Sequence, residues 1–160
     1  MARITPRPPA TQELVLSCLN RCCPVCGGPL WFAYENDRTV TTLAAVVAVT
    51  LQVRRCVNPA CGLYHRPYRP ELEGRLALPH HEFGLDVIAW IGAGRYQEHD
   101  SLPEIHRELT GRGVVIAART VDHLLARYEE LVSVALAAPA RRAGLCQQGR
   151  LVLAVDGLQP

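Results

Sequence analysis

The feature that most constrains this chain is a pair of cysteine knuckles, Cys23-Pro-Val-Cys26-Gly-Gly and Cys56-Val-Asn-Pro-Ala-Cys61-Gly. Each knuckle places two cysteines in a turn that contains proline or glycine. Together they supply four thiolates, which can converge on one tetrahedral ion as a structural zinc site requires. We therefore predict a zinc ribbon whose ligands are Cys23, Cys26, Cys56 and Cys61.

Short apolar runs between the knuckles predict antiparallel strands over residues 30–34, 39–43 and 46–53, with a polar turn at residues 35–37. Ahead of the first knuckle, residues 12–19 are predicted to form one or two helical turns. A sheet of this size buries little apolar area. The metal is therefore expected to supply a large part of the folding free energy, on the order of 10 kcal/mol.

The chain has seven cysteines, and other cysteine chemistry has to be weighed. An odd count without a secretory signal argues against disulfides, and CxxC pairs in a reducing compartment more often bind metal or carry out redox chemistry. A thioredoxin-like site needs a βαβ setting, whereas Cys26 is followed by Gly-Gly-Pro. Ligand identity stays open, because Cys18, Cys22 and His65 lie near the knuckles and Cys22 or His65 could replace one of the four.

Arginine supplies all 17 basic residues, and their distribution is uneven. Residues 1–81 hold nine arginines against five acids, whereas residues 82–160 hold eight against ten. Positive charge therefore lies around the predicted ribbon, where a guanidinium fork suits phosphate contacts. Residues 64–70 mix aromatic rings and prolines with Arg66 and Arg69. This composition fits a segment lying along a nucleic-acid backbone, and it equally fits a polar linker.

The apolar runs of the chain are short. The longest, around residues 43–51, cannot span a bilayer, and the proline-rich start lacks the apolar core of a signal peptide. We therefore expect a cytoplasmic protein with no membrane partner.

From Phe83 onward the apolar residues follow a helical period. Helices are predicted over residues 84–98, from a capping box at Ser101 to about residue 109, and over residues 118–138. Gly92 and Gly94 in the first of these indicate close packing. A short capped helix and a glycine-containing turn before a longer helix are typical of a helix-turn-helix, although any three-helix bundle shows the same stripes. The polar side of the third helix carries the candidate DNA contacts Arg119, Thr120, His123 and Arg127.

The last apolar run, Leu-Val-Leu-Ala-Val at residues 151–155, is predicted to be a buried strand, and Asp156 stands at its end. Carboxylates at strand ends commonly bind metal. An Asp-Gly pair is equally typical of an ordinary turn.

The order of these motifs, CPVCGG, CVNPACGLYHRPYRPE, EFGLDVIAWIGAGRYQEHDSLPEIHREL, ARTVDHLLARYEEL and LVLAVDGLQP, resembles the N-terminal half of bacterial insertion-sequence transposases. Those proteins carry a zinc ribbon, a helix-turn-helix and an RNase H-like DDE catalytic domain. The resemblance implies that Asp156 is the first catalytic acid. Two-metal chemistry with Mg²⁺ needs further carboxylates, so we expect this chain to be catalytically incomplete, with Mg²⁺ bound only in a full-length relative.

The predicted fold class is α+β: a small β zinc ribbon, a three-helix helix-turn-helix bundle and the first strand of an incomplete RNase H-like domain. The expected segments are a flexible tail at 1–11, the ribbon at 12–70, a linker at 71–82, the DNA-binding domain at 83–138 and the truncated catalytic domain at 139–160. Expected partners are double-stranded DNA in a bacterial nucleoid and either a second copy of the chain or the missing catalytic part.

Two other functions compete with a transposase fragment. A stand-alone zinc-ribbon and helix-turn-helix transcriptional regulator would use the same modules on an operator or a protein partner, with Asp156 purely structural. An enzyme with a catalytic zinc would need an open coordination position, whereas four cysteine ligands close the site.

Overall fold

The computed structural model describes residues 8–137. Asp156 and the strand predicted at residues 151–155 lie outside the described residues, as do most of the residues assigned to an N-terminal tail. The described elements are four strands and four helices: β1 (Gln12–Ser17), β2 (Leu30–Thr41), β3 (Val46–Cys56), β4 (Pro67–Tyr68), α1 (Glu73–Leu76), α2 (Leu85–Tyr96), α3 (Leu102–Gly111) and α4 (Ala118–Ala137). The predicted α+β class is confirmed.

The centre of the sheet is a long hairpin of β2 and β3, whose register runs from Leu30 opposite Cys56 to Thr41 opposite Val46. The polar turn expected at residues 35–37 is wrong, because β2 continues straight through it. Asp37 lies on the open face of the sheet, where its carboxylate accepts a 2.7 Å hydrogen bond from the Thr50 hydroxyl of β3. Polar residues there satisfy each other across the strands, so they do not break the strand.

Residues 12–19 do not form the predicted helical turns; that prediction is wrong. Residues 12–17 are β1, which pairs in parallel with β3 from Gln12 opposite Val47 to Ser17 opposite Gln52. The segment contains a short apolar run, Leu14-Val15-Leu16, and in a strand Leu14 and Leu16 project to one face while Val15 projects to the other. Leu16 is buried in the sheet's apolar core, so packing decides the conformation of this segment.

The segment predicted as a linker contains α1 and packs on one face of the sheet. Its Leu72 and Leu76 contact the buried residues of the sheet, which are Leu16, Val40, Val47, Val49, Leu51, Val53 and Ala77. Glu73 of α1 is itself buried, and its carboxylate accepts hydrogen bonds from Arg38 at 2.7 Å and from Arg69 at 2.7 and 2.8 Å. The burial of this carboxylate is compensated by two guanidinium groups.

Helices α2, α3 and α4 pack together as the sequence predicted, within one or two residues of the expected bounds. The capping box at Ser101 and Glu104 is present. Gly92 does mark close packing, because a Cβ there would collide with the ring of Tyr128. Their core consists of Phe83, Val87, Ile88, Ile91, Ile105, Leu109, Val114, Ile116, Val121, Leu124 and Leu125.

The sheet joins the helices at the C-terminal end of β2. The backbone of Thr41 exchanges hydrogen bonds with Glu82 and Gly84, at 2.7 and 2.8 Å, and the Leu43 amide donates to the Asp86 carboxylate at 2.8 Å. Among residues 8–137, no helix has the length and apolar composition needed to cross a membrane.

Candidate metal centre and predicted DNA-contact residues

Four cysteine sulfurs converge at the end of the hairpin that lies away from the helices. The Sγ atoms of Cys23, Cys26, Cys56 and Cys61 all lie within 4.8 Å of one another. The Cys23 and Cys61 sulfurs are 3.7 Å apart, and those of Cys26 and Cys56 are 3.6 Å apart. The two knuckles, distant in sequence, therefore form one cluster.

These sulfur separations fit a single tetrahedral ion. Zinc–thiolate bonds of about 2.3 Å place the corners of a regular tetrahedron roughly 3.8 Å apart. A disulfide would instead hold two sulfurs at about 2.05 Å. The residues present thus fit a structural metal held by four thiolates, and Cys23, Cys26, Cys56 and Cys61 are the residues that would hold it.

Backbone amides of the knuckle turns point at the sulfurs. The Leu63 amide donates to the Cys61 sulfur at 3.4 Å, and the Gly28 and Asn58 amides donate to Cys26 and Cys56. Each donor lies two residues beyond its cysteine. Gly27 has a positive φ of 68°, which allows the first knuckle to turn back on itself. Such N–H donors stabilise the negative charge of a thiolate even without a metal.

The neighbouring thiols also shift one another's pKa values, because a thiolate on one of them disfavours a second negative charge nearby. The Gly28 amide lowers the pKa of Cys26 to about 7. At Cys56 the Asn58 amide lowers the pKa, but burial and hydrogen bonding with the neighbouring thiols outweigh it and raise the pKa to about 12. The Cys26 thiolate therefore forms readily, whereas the raised pKa values of Cys56 and Cys61 keep those two thiols protonated. A bound dication reverses this balance, since its charge favours deprotonation of every coordinating thiol.

The loop before the first knuckle is held by one carboxylate. Glu71 accepts hydrogen bonds from the Leu19 and Asn20 amides, at 2.8 and 3.1 Å, and from the Tyr68 hydroxyl at 2.8 Å. Burial alone would raise the pKa of Glu71, but these donors outweigh it and lower the pKa to about 2. Glu71 therefore stays ionised and ties β4 to the segment that leads into Cys23.

The alternative ligands lie outside the cluster of four sulfurs. Cys22 is exposed, and the His65 ring packs against Tyr64 with centroids 4.1 Å apart. The Cys18 thiol lies 3.5 Å from the backbone carbonyls of both Gln52 and Tyr68. Within residues 8–137, the four-cysteine set is therefore the one that the geometry supports.

The structure separates the predicted DNA-contact residues into two places. Arg119, His123 and Arg127 are exposed on α4, and Thr120 is half-buried beside them. Arg127 forms an ion pair with Glu130 one turn along the helix. Opposite these residues, α4 buries Val121, Leu124 and Leu125 in the helical core.

The other two predicted contacts lie between the second knuckle and α1. Arg66 is exposed in the loop after the second knuckle. Arg69 is engaged by Glu73, which raises the pKa of its guanidinium and fixes the side chain against α1. Arg66 is therefore the freer of the two for an incoming phosphate.

A cleft of about 470 Å³ lies between α4 and the loop before α2. Thr120, His123 and Arg127 form part of one wall, and His80 and His81 form part of the other. Sequence reasoning missed this second wall, and it missed the Arg38–Glu73–Arg69 network. The two adjacent histidines were the only sequence signal for the second wall. Nothing in the local sequence around Glu73 indicated the network, because Arg38 lies 35 residues away.

Comparison of this chain with protein-family models, with curated proteins and with solved structures found no match.

Proposed function

We propose that this chain binds double-stranded DNA through α4 and that a structural zinc ion organises the ribbon ahead of it. The observation that carries the proposal is the two-sidedness of α4. One side is buried against α2 and α3, while the other exposes Arg119 and His123 at the start of the helix. A helix held in this way can enter a major groove with its N-terminal residues next to base edges.

The elements around α4 agree with this role. Helix α3 is short and capped, and Gly113, with φ of 86°, lies in the turn that precedes α4. The cleft wall formed by His80 and His81 lies beside the polar side of α4. Histidine and arginine side chains at this position can contact the phosphates that flank the groove. We assign Arg119 and His123 to bases, and Thr120, Arg127 and Arg66 to the backbone.

The resemblance in motif order extends this proposal to a biological setting. We infer that the DNA bound is the end of a mobile element and that the chain corresponds to the DNA-binding part of a transposase-like protein. In such a protein Asp156 would be one carboxylate of a Mg²⁺ site. The ribbon and the helices supply the binding function only.

The test uses zinc-loaded protein and a pool of random-sequence duplexes, from which bound sequences are selected. Arg119→Ala is then compared with Arg75→Ala, which removes the same charge from an exposed position on α1. If Arg119 contacts a base, its loss weakens binding of the selected duplex by about 1–3 kcal/mol and spares unrelated duplexes. If it contacts phosphate, all duplexes are affected alike.

Two results would contradict the proposal. One is a selection that yields no duplex bound above background. The other is an Arg119→Ala protein that binds every duplex as well as the Arg75→Ala control does.

A further inference from the structure

Two large aromatic side chains are exposed on β2 close to the metal centre. Trp31 is 60% exposed and Tyr34 is 45% exposed, although the same strand also carries buried residues. Exposed rings of this size, neighbouring one another, commonly mark a binding surface. The metal cluster alone does not require them, since its buried apolar partner from this strand is Leu30.

The strand register places both rings on one face, with an arginine between them and β4. Trp31 lies opposite Arg55 and Tyr34 lies opposite Val53. Residues 53 and 55 of β3 are two apart and therefore project from the same face of the sheet. An irregularity between Phe32 and Tyr34 inserts one extra residue into β2, which brings the second ring onto this face. We call Trp31, Tyr34 and Arg55 the aromatic face.

The aromatic face is the uncovered end of the same surface that α1 covers elsewhere. Leu72 and Leu76 pack over the buried residues from Val47 to Val53. Arg55 lies beyond them and is exposed. By strand geometry the Trp31 and Tyr34 positions are about 7 Å apart along the sheet. Both aromatic rings are therefore exposed on one face of the sheet. Their spacing matches that of neighbouring flat groups along an extended ligand.

The face that carries the two rings has an excess of positive charge. The register places Arg38 on the same face as Arg55, and Arg38 and Arg69 share the single carboxylate of Glu73. By the same register, Glu35 and Asp37 of β2 project from the other face of the sheet. Three arginines against one carboxylate leave a positive excess, so the complementary partner is an anion that also presents flat apolar groups.

We propose that the aromatic face binds single-stranded DNA, with unpaired bases stacked on Trp31 and Tyr34 and a phosphate held by Arg55. Base stacking on exposed rings combined with cationic side chains is the general mode of single-strand binding, and it needs no pocket. This surface is separate from α4. The choice of DNA over RNA rests on the proposed function of the same chain. A strand melted near a duplex site bound by α4 is the natural source of such DNA.

The test measures binding of a fluorescein-labelled oligo(dT) to the zinc-loaded chain. Trp31→Leu and Tyr34→Leu are each expected to weaken binding about tenfold, the effect of losing one stacked base. The matched control is Phe32→Leu. Phe32 is 55% exposed on the same strand, but it lies opposite Arg54 and so faces the other side of the sheet. Its loss is expected to change affinity less than twofold.

Tryptophan fluorescence gives a second readout. The chain has two tryptophans, so a Trp90→Phe protein reports on Trp31 alone. Oligo(dT) is expected to quench this signal, and oligo(rU) is expected to do so only at clearly higher concentration. Metal content measured for every variant shows that the ribbon is intact.

The proposal is overturned if oligo(dT) does not bind, if Phe32→Leu weakens binding as much as Trp31→Leu, or if oligo(rU) binds equally well. It is also overturned if Trp31→Leu leaves DNA binding unchanged but alters the mass of the protein in solution, because the face is then an interface between copies. Arg119→Ala separates the two proposals: it should reduce duplex binding and leave oligo(dT) binding unchanged.

Discussion

Loss of one metal ligand is predicted to unfold the knuckles and leave the helices folded. Cys56→Ser is the sharpest change, because Cys56 is 1% exposed and ends the central strand β3. A serine hydroxyl is a poor ligand for zinc beside three thiolates. The matched control is Cys22→Ser, which changes an exposed cysteine outside the cluster of four.

The magnitude follows from how little apolar packing the metal end contains. Apart from the cysteines, its one fully buried apolar residue is Leu30, with Leu63 and Tyr68 partly buried beside it. Burial of one leucine contributes about 1.5–3 kcal/mol. A structural zinc contributes on the order of 10 kcal/mol. A bound zinc ion would therefore stabilise the knuckles more than their apolar packing does, whereas the helical core has its own large set of buried side chains.

Hydrogen exchange of individual amides is the appropriate assay. The amides of Cys23, Gly27, Cys61, Tyr64 and His65 donate to backbone carbonyls within the two knuckles, at 2.7–3.0 Å. These should lose protection in Cys56→Ser and in wild-type protein treated with a chelator. Amides in the middle of α2 and α4 should exchange as in the metal-bound protein. Re-addition of Zn²⁺ should restore protection only in the wild-type and Cys22→Ser proteins.

Two outcomes would refute this reasoning. Knuckle amides that stay protected in metal-free protein would show that packing alone holds the cluster. Helices that unfold together with the knuckles would show that the metal supports the whole chain and not one end of it.

Two further predictions concern the packing of the chain. Glu73→Gln should lower the free energy of unfolding, measured by urea titration, by about 3–5 kcal/mol, because it leaves the charges of Arg38 and Arg69 without their buried carboxylate. The control Glu98→Gln, at an exposed position, should keep the free energy of unfolding within about 0.5 kcal/mol of wild type. Gly92→Ala should lower the melting temperature, since overpacking against Tyr128 costs about 1–3 kcal/mol. Gly111→Ala meets open space and should not lower it; equal melting temperatures for the two variants would contradict the contact.

The parts of the fold that the sequence predicted well are those with a strong local signal. Helices α3 and α4 follow from apolar periodicity and from the capping box at Ser101, both of which act within one or two turns, whereas α2 is a continuous run that is apolar on most sides. The cysteine cluster follows from chemistry, because two close cysteine pairs in tight turns are the typical ligand arrangement of a four-thiolate metal site. The sequence predicts that the four cysteines converge, but it does not give the distances between their sulfurs.

The predictions that were wrong concern segments whose partners lie far along the chain. Residues 12–17 become a strand because β3, some 35 residues later, offers a free edge with matching register. The turn expected at residues 35–37 is absent because Asp37 and Glu35 find partners in Thr50 and Gln52. Arg38 and Glu73 are also 35 residues apart. No local pattern carries such pairings, since tertiary context overrides propensity in strands.

The position of that Arg38–Glu73 network explains why metal loss should remain local. Leu30 at one end of β2 lies next to the cysteines, and Thr41 at the other end is bonded to the segment that enters α2. A strand of this length spans roughly 40 Å at about 3.3 Å per residue. Arg38 lies toward the helical end, where its guanidinium also donates to the Leu78 and His81 carbonyls. The contacts that fix the helices to the sheet are therefore made far from the four cysteines, so we expect them to persist when a bound metal is removed.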